Sequence, residues 1–177
     1  EMQRPVEIEF ACNINPDKSG DFYLLQIRPM VDNRMQLDEN LANIPDEQCL
    51  LRSHNAIGHG IITDICDIVY VKTSEEAHYT PGWNPQIAEE VERINRTLLQ
   101  EDRKCILIGP GRWGSSDPWL GIPVKWPNIS SAQVIVEAGL ANFQVDPSQG
   151  THFFQNLTSL GVGYLTINAF RGDGKYD

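Results

Sequence analysis

The first thirty residues alternate. Apolar and acidic side chains take turns in Pro5-Val6-Glu7-Ile8-Glu9-Phe10-Ala11, and a second run follows at Phe22-Tyr23-Leu24-Leu25-Gln26-Ile27-Arg28-Pro29. Between them lie the turn formers Asn13-Ile14-Asn15-Pro16-Asp17-Lys18-Ser19-Gly20. Two alternating runs joined by such a segment predict an antiparallel β-hairpin. Period-two alternation puts Val6, Ile8, Phe10 and Cys12 on one face, with Tyr23, Leu25 and Ile27 as the apolar face of the second strand. Glu7, Glu9, Gln26 and Arg28 then share the opposite face. Carboxylates beside a guanidinium and an amide can hold a divalent cation and the phosphates it neutralises. The plainer reading is a solvated sheet face with a cross-strand ion pair.

Downstream the pattern changes. Residues 31–47 are polar and read as a linker and domain boundary. Short β-prone runs follow at 49–53, 56–64 and 65–71, with Gly58 and Gly60 marking a bend. Asp64 and Asp67 read as bounding a turn. Asn84 is placed to cap a helix that starts at Pro85 and runs to about residue 100, with Ile87, Val91, Ile94 and Leu98 as its apolar stripe. Glu89, Glu90, Glu92 and Arg93 form its solvated side. Residues 104–109 are a continuous apolar strand of the kind buried on both faces. A long loop (109–123), a strand (132–137), a turn (146–150), a helix (about 152–160) and a closing strand (164–168) complete the unit. The polar tail 171–177 is expected to fray.

Length and composition narrow the picture. The chain has 177 residues, 41% of them hydrophobic, which suits one domain with an appendage. A net charge of −10 argues against nucleic acid as a partner. Cys12, Cys49, Cys66 and Cys105 are widely spaced in apolar runs and read as reduced core thiols of a cytoplasmic protein. No apolar stretch reaches membrane-spanning length. The sequence enters its first strand at once, so it is expected to be a fragment of a larger protein.

The two halves of the hairpin, Val-Glu-Ile-Glu-Phe-Ala and Phe-Tyr-Leu-Leu-Gln-Ile-Arg-Pro, resemble the end of the ATP-grasp domain of phosphoenolpyruvate synthases and pyruvate phosphate dikinases. The resemblance implies that Glu9 binds the magnesium of MgATP and that Gln26 and Arg28 contact the nucleotide phosphates; Glu7, on the same face, is a further candidate metal ligand. The family's phosphate-binding lysine, arginine and glycine-rich loop have no counterpart in this sequence. The expected fold class is α/β: a hairpin remnant of an ATP-grasp domain (1–30), a linker (31–47), a swivelling β/β/α-like domain (48–170) and a tail (171–177).

Gly150-Thr151-His152 and Gly161, nine residues after the histidine, resemble a degenerate phosphohistidine segment of that swivelling domain. Phe153 and Phe154 replace small residues of the family pattern. His152 is thus a candidate phosphoryl carrier, with a structural histidine as the alternative. The loop Gly109–Gly114 is a second candidate, with Arg112 and its backbone N–H groups as an anion site and Trp113 or Trp119 as an apolar wall. The alternative there is a structured Ω-like loop whose tryptophans fill the core margin. No Gly-Lys-Ser/Thr makes it a Walker loop. His54, His59 and His78 fit no metal-ligand spacing. By resemblance, the parent is an ATP-dependent phosphotransferase using Mg and ATP to phosphorylate a histidine and then an acceptor such as pyruvate, the isolated fragment being inactive. The alternatives are a non-catalytic binding or regulatory module attached to an ATP-grasp kinase, and a kinase with another acceptor.

Overall fold

Strands β1 (Val6–Ile14) and β2 (Gly20–Pro29) form the expected antiparallel hairpin. The turn between them is closed by Lys18 N–H to Asn15 O (2.9 Å), and the Asp17 carboxylate accepts from the Ser19 N–H and hydroxyl, which holds its pKa below the usual value. The computed structural model describes residues 6–29, 43–58, 60–73, 79–140, 157 and 160–176. Two units separate by contact, Glu1–Arg34 and Met35–Asp177.

The hairpin register differs from simple alternation at one point. Glu9 pairs with Gln26 but Phe10 pairs with Leu24, so Leu25 is an extra residue in a β-bulge. Leu24 and Phe22 therefore join Phe10 and Cys12 on one face, where Phe10 and Phe22 stack with ring centroids 4.9 Å apart. Tyr23 moves to the other face, opposite Ala11. The apolar face expected from Tyr23, Leu25 and Ile27 is corrected to Ile27, Leu24 and Phe22.

The second unit is mixed α/β, mostly strands, with one α-helix among the described residues. In chain order come β3 (Leu51–Arg52), β4 (Asn55–Ile57), β5 (Ile65–Tyr70), α1 (Asn84–Gln100), β6 (Lys104–Pro110), β7 (Arg112–Trp113), β8 (Gly121–Ile122), β9 (Ala132–Ala138), β10 (Gly163–Ile167) and β11 (Lys175–Tyr176). The main sheet has the order β4-β10-β9-β6-β5. β5, β6, β9 and β10 run parallel, and β4 joins antiparallel at the edge. Parallel neighbours need crossovers. The helix supplies the one from β5 to β6, and its stripe of Ile87, Val91, Ile94 and Leu98 packs with Cys105, Leu107 and Val69 of the sheet. Fully burying side chains such as Val91 and Leu98 contributes about 1.5–3 kcal/mol each. On the opposite sheet face, Ile108, Val136 and Ile167 form a second cluster that Leu51 helps to cover.

Several local expectations are corrected. Asn84 is the first helical residue and its side chain does not cap the helix; its amide is engaged elsewhere. Asp67 lies inside β5, where it pairs with Arg103 (2.5 Å), rather than bounding a turn. The tail does not simply fray: Lys175 and Tyr176 pair with Arg52 and Leu51. The thiols are all free, but only Cys105 is buried, while Cys12 and Cys66 are exposed. The edge position of β5 accounts for the exposure of Cys66, and Cys12 lies in a hairpin of only two strands. Burial pushes the Cys105 thiol above its ordinary pKa. A thiol reagent under native conditions should therefore modify Cys12 and Cys66 rapidly and Cys105 only after unfolding. Peptide mass mapping reads this directly, and Cys105 reacting as fast as Cys66 would contradict the packing.

Candidate functional site

In the hairpin, the ladder sets Glu7 opposite Arg28 and Glu9 opposite Gln26, on the near side of the bulge. These four positions therefore fall on one face by register, two residues apart on each strand. Glu9 is half-buried and Gln26 exposed. One or two carboxylates suit a magnesium ion that keeps most of its shell as water and phosphate oxygen, so the donor set at this face fits such an ion. Among the described residues, no three His, Cys, Asp or Glu side chains gather as a metal-ligand group.

In the second unit, β6, β9 and β10 end at the same edge of the sheet, the edge at which α/β sheets bind ligands. The chain leaves β6 through Gly111, whose φ of +71° favours glycine, and doubles back so that Arg112 and Trp113 run beside Gly121 and Ile122. The Trp113 ring lies against Gly109, where a Cβ would collide with it. Its indole N–H donates to Val136 O (3.1 Å), and its backbone N–H donates to Glu137 Oε1 (3.0 Å). Glu137 is 1% exposed. Its other oxygen accepts from the Tyr164 hydroxyl, to which Thr166 Oγ1 donates in turn (3.3 Å). The carboxylate thus joins the rim loop to β9 and β10.

Asn84 fixes the remainder of the loop, and a second buried asparagine, Asn95, holds the segment that enters β9. Asn84 Nδ2 donates to Pro118 O (2.6 Å) and Gly121 O (3.0 Å), while its Oδ1 accepts from the Tyr79 hydroxyl (3.0 Å). Partial burial pushes the Tyr79 hydroxyl above its ordinary pKa. Asn95 donates to Pro127 O (3.0 Å) and accepts from the Ser131 N–H (2.8 Å). A hollow of about 190 Å³, open to solvent, lies at this rim between Tyr79, Pro81, Pro110, Gly111, Trp119 and Leu140.

The two tryptophans of the loop have different places. Trp113 is core, and Trp119 is 66% exposed beside the hollow. Arg112 is half-exposed. The N–H groups of Gly111, Arg112, Trp113 and Gly114 all donate within the protein, to Ala138 O, Leu120 O, Glu137 Oε1 and Ile122 O. An anion at this loop would be left to the Arg112 guanidinium, without a backbone cradle. His152 lies outside the described residues, as do His59, His78 and the rest of the helix expected over 152–160 apart from Leu157 and Leu160. Sequence reading missed Glu137, Tyr164, Asn84 and Asn95. The available signal was Glu137 itself, a single acid closing the apolar run Val134-Ile135-Val136.

Comparison with family models, with curated proteins and with solved structures finds no match. No helix among the described residues is long and apolar enough to cross a membrane.

Tyr164→Phe removes one donor from a buried carboxylate and should destabilise the protein by about 1–3 kcal/mol. Urea denaturation, followed through tryptophan fluorescence, measures this. Wild-type stability in that variant would mean that the hydroxyl does not hold Glu137.

Proposed function

We propose that this chain acts within an ATP-dependent phosphotransferase of the phosphoenolpyruvate-synthase type, in which the hairpin contributes part of an ATP-grasp MgATP site. The observation that carries the reading is the register: Glu9, Gln26 and Arg28, the three positions that the resemblance marks, fall on one face together with Glu7, which stands opposite Arg28. Glu9, with Glu7 beside it, would hold the magnesium ion, and Gln26 and Arg28 would hold phosphate oxygens by hydrogen bonds, the guanidinium through its fork geometry. Bound there, the ion neutralises the charge of the transferring phosphoryl group. The chain's own residues position and orient the phosphates; the acceptor in this reading is His152 and then a small acid such as pyruvate.

A second reading of the Met35–Asp177 unit is a binding or regulatory module attached to such a kinase. It is favoured by the rim loop, whose four consecutive amides are all bonded internally and offer no phosphate cradle.

One experiment separates the readings. The full-length protein is incubated with ATP labelled at the β- or the γ-phosphate, and the modified residue is mapped. The phosphotransferase reading expects label on His152, lost in His152→Ala, and a rate lowered about 100-fold or more in Glu9→Gln. Labelling that persists in His152→Ala supports the module reading. Labelling unaffected by Glu9→Gln would overturn the role given to the hairpin.

A further inference from the structure

The bulge in the hairpin changes which side chains share the polar face. In an unbroken strand Gln26 and Leu24 would point one way and Leu25 and Tyr23 the other. With Leu25 as the extra residue, every position before it in β2 changes face relative to that pattern. The stack of Phe22 on Phe10 places Phe22 on the apolar side, and Tyr23, its neighbour, stands opposite Ala11 on the side of positions 7, 9, 26 and 28. Tyr23 is 51% exposed and faces a methyl side chain too small to cover it. Ala11 is two residues beyond Glu9, about 7 Å further along the strand toward the hairpin turn. A ring at that distance meets whatever is attached to phosphates held at Glu9 and Gln26.

We infer that Tyr23 belongs to the same site, its ring forming the wall against which the nucleoside half of the ligand lies; this rests on the phosphate site proposed above. Bulges beside binding sites re-aim side chains, and here the first one brought round to the face of Glu9 and Gln26 is aromatic. A flat π-surface accepts any base by stacking and needs no hydrogen-bond readout. Glu9 takes the magnesium ion, Gln26 and Arg28 take the phosphates, and Tyr23 takes the part of the ligand that a bare polyphosphate lacks.

The test compares two ligands on the full-length protein by calorimetry: MgATP, and magnesium tripolyphosphate, which has no nucleoside. Tyr23→Ala should weaken MgATP by about ten-fold while tripolyphosphate stays within about two-fold, and Tyr23→Phe should preserve both. In a separate readout, MgATP should slow nitration of Tyr23 by tetranitromethane, and tripolyphosphate should not. Unchanged MgATP affinity in Tyr23→Ala overturns the inference, as does an equal loss for both ligands. If the wild type binds neither ligand, or if Glu9→Gln leaves tripolyphosphate binding intact, the phosphate site itself falls and Tyr23 loses its role with it.

Discussion

The indole of Trp113, laid against Gly109 and bonded to the carbonyl of Val136, is the contact on which the carboxyl-terminal rim of the second unit depends. A side chain at position 109 would lift the ring away, and without the ring the loop after β6 has no floor. Once the ring is seated, the backbone N–H of the same residue points at Glu137, which gives a buried carboxylate the donor it needs. Tyr164 supplies the second from the neighbouring strand. Two strands and one loop thus share a single polar network, and because every member has a partner, the low dielectric around it strengthens the bonds and does not penalise the groups.

The asparagines at 84 and 95 extend the same constraint outward. Each sits on the buried side of α1 and uses its side-chain amide to satisfy backbone groups, Asn84 those of the rim loop at Pro118 and Gly121, Asn95 those of the segment entering β9 at Pro127 and Ser131. The helix is therefore more than a crossover: Asn84 in its first turn holds the rim loop, and Asn95 in its fourth turn holds the entry to β9. A loop fixed this way keeps Trp119 exposed at its tip, because Pro118, the residue before it, is held by Asn84 and its own N–H is held by Asp117 (2.9 Å).

The sequence made the long periodic elements legible and concealed the polar connections. The helix over Asn84–Gln100 and the strands at Lys104–Pro110 and Ala132–Ala138 follow from apolar spacing that only one kind of element satisfies. Asn84 was read as a cap because an asparagine before a proline at a helix start usually is one. Its true partners, Pro118 and Gly121, are more than thirty positions away, and no local pattern announces them. The bulge at Leu25 was hidden for a similar reason. Three adjacent apolar residues, Tyr23, Leu24 and Leu25, satisfy alternation in either phase, so only the cross-strand register decides which of them faces the carboxylates.

The rim of the second unit bonds its polar groups to one another, and this bears on what the rim can do. At the rim of the second unit, amides, indole, carboxylate and asparagines are bonded to one another, which gives rigidity and leaves Arg112 as the charged side chain of the Gly109–Gly114 turn. A ligand of high charge density gains most where donors and acceptors are not already bonded to each other, since displacing an internal partner costs about as much as the new bond returns. On that ground the stitched rim suits the holding of shape.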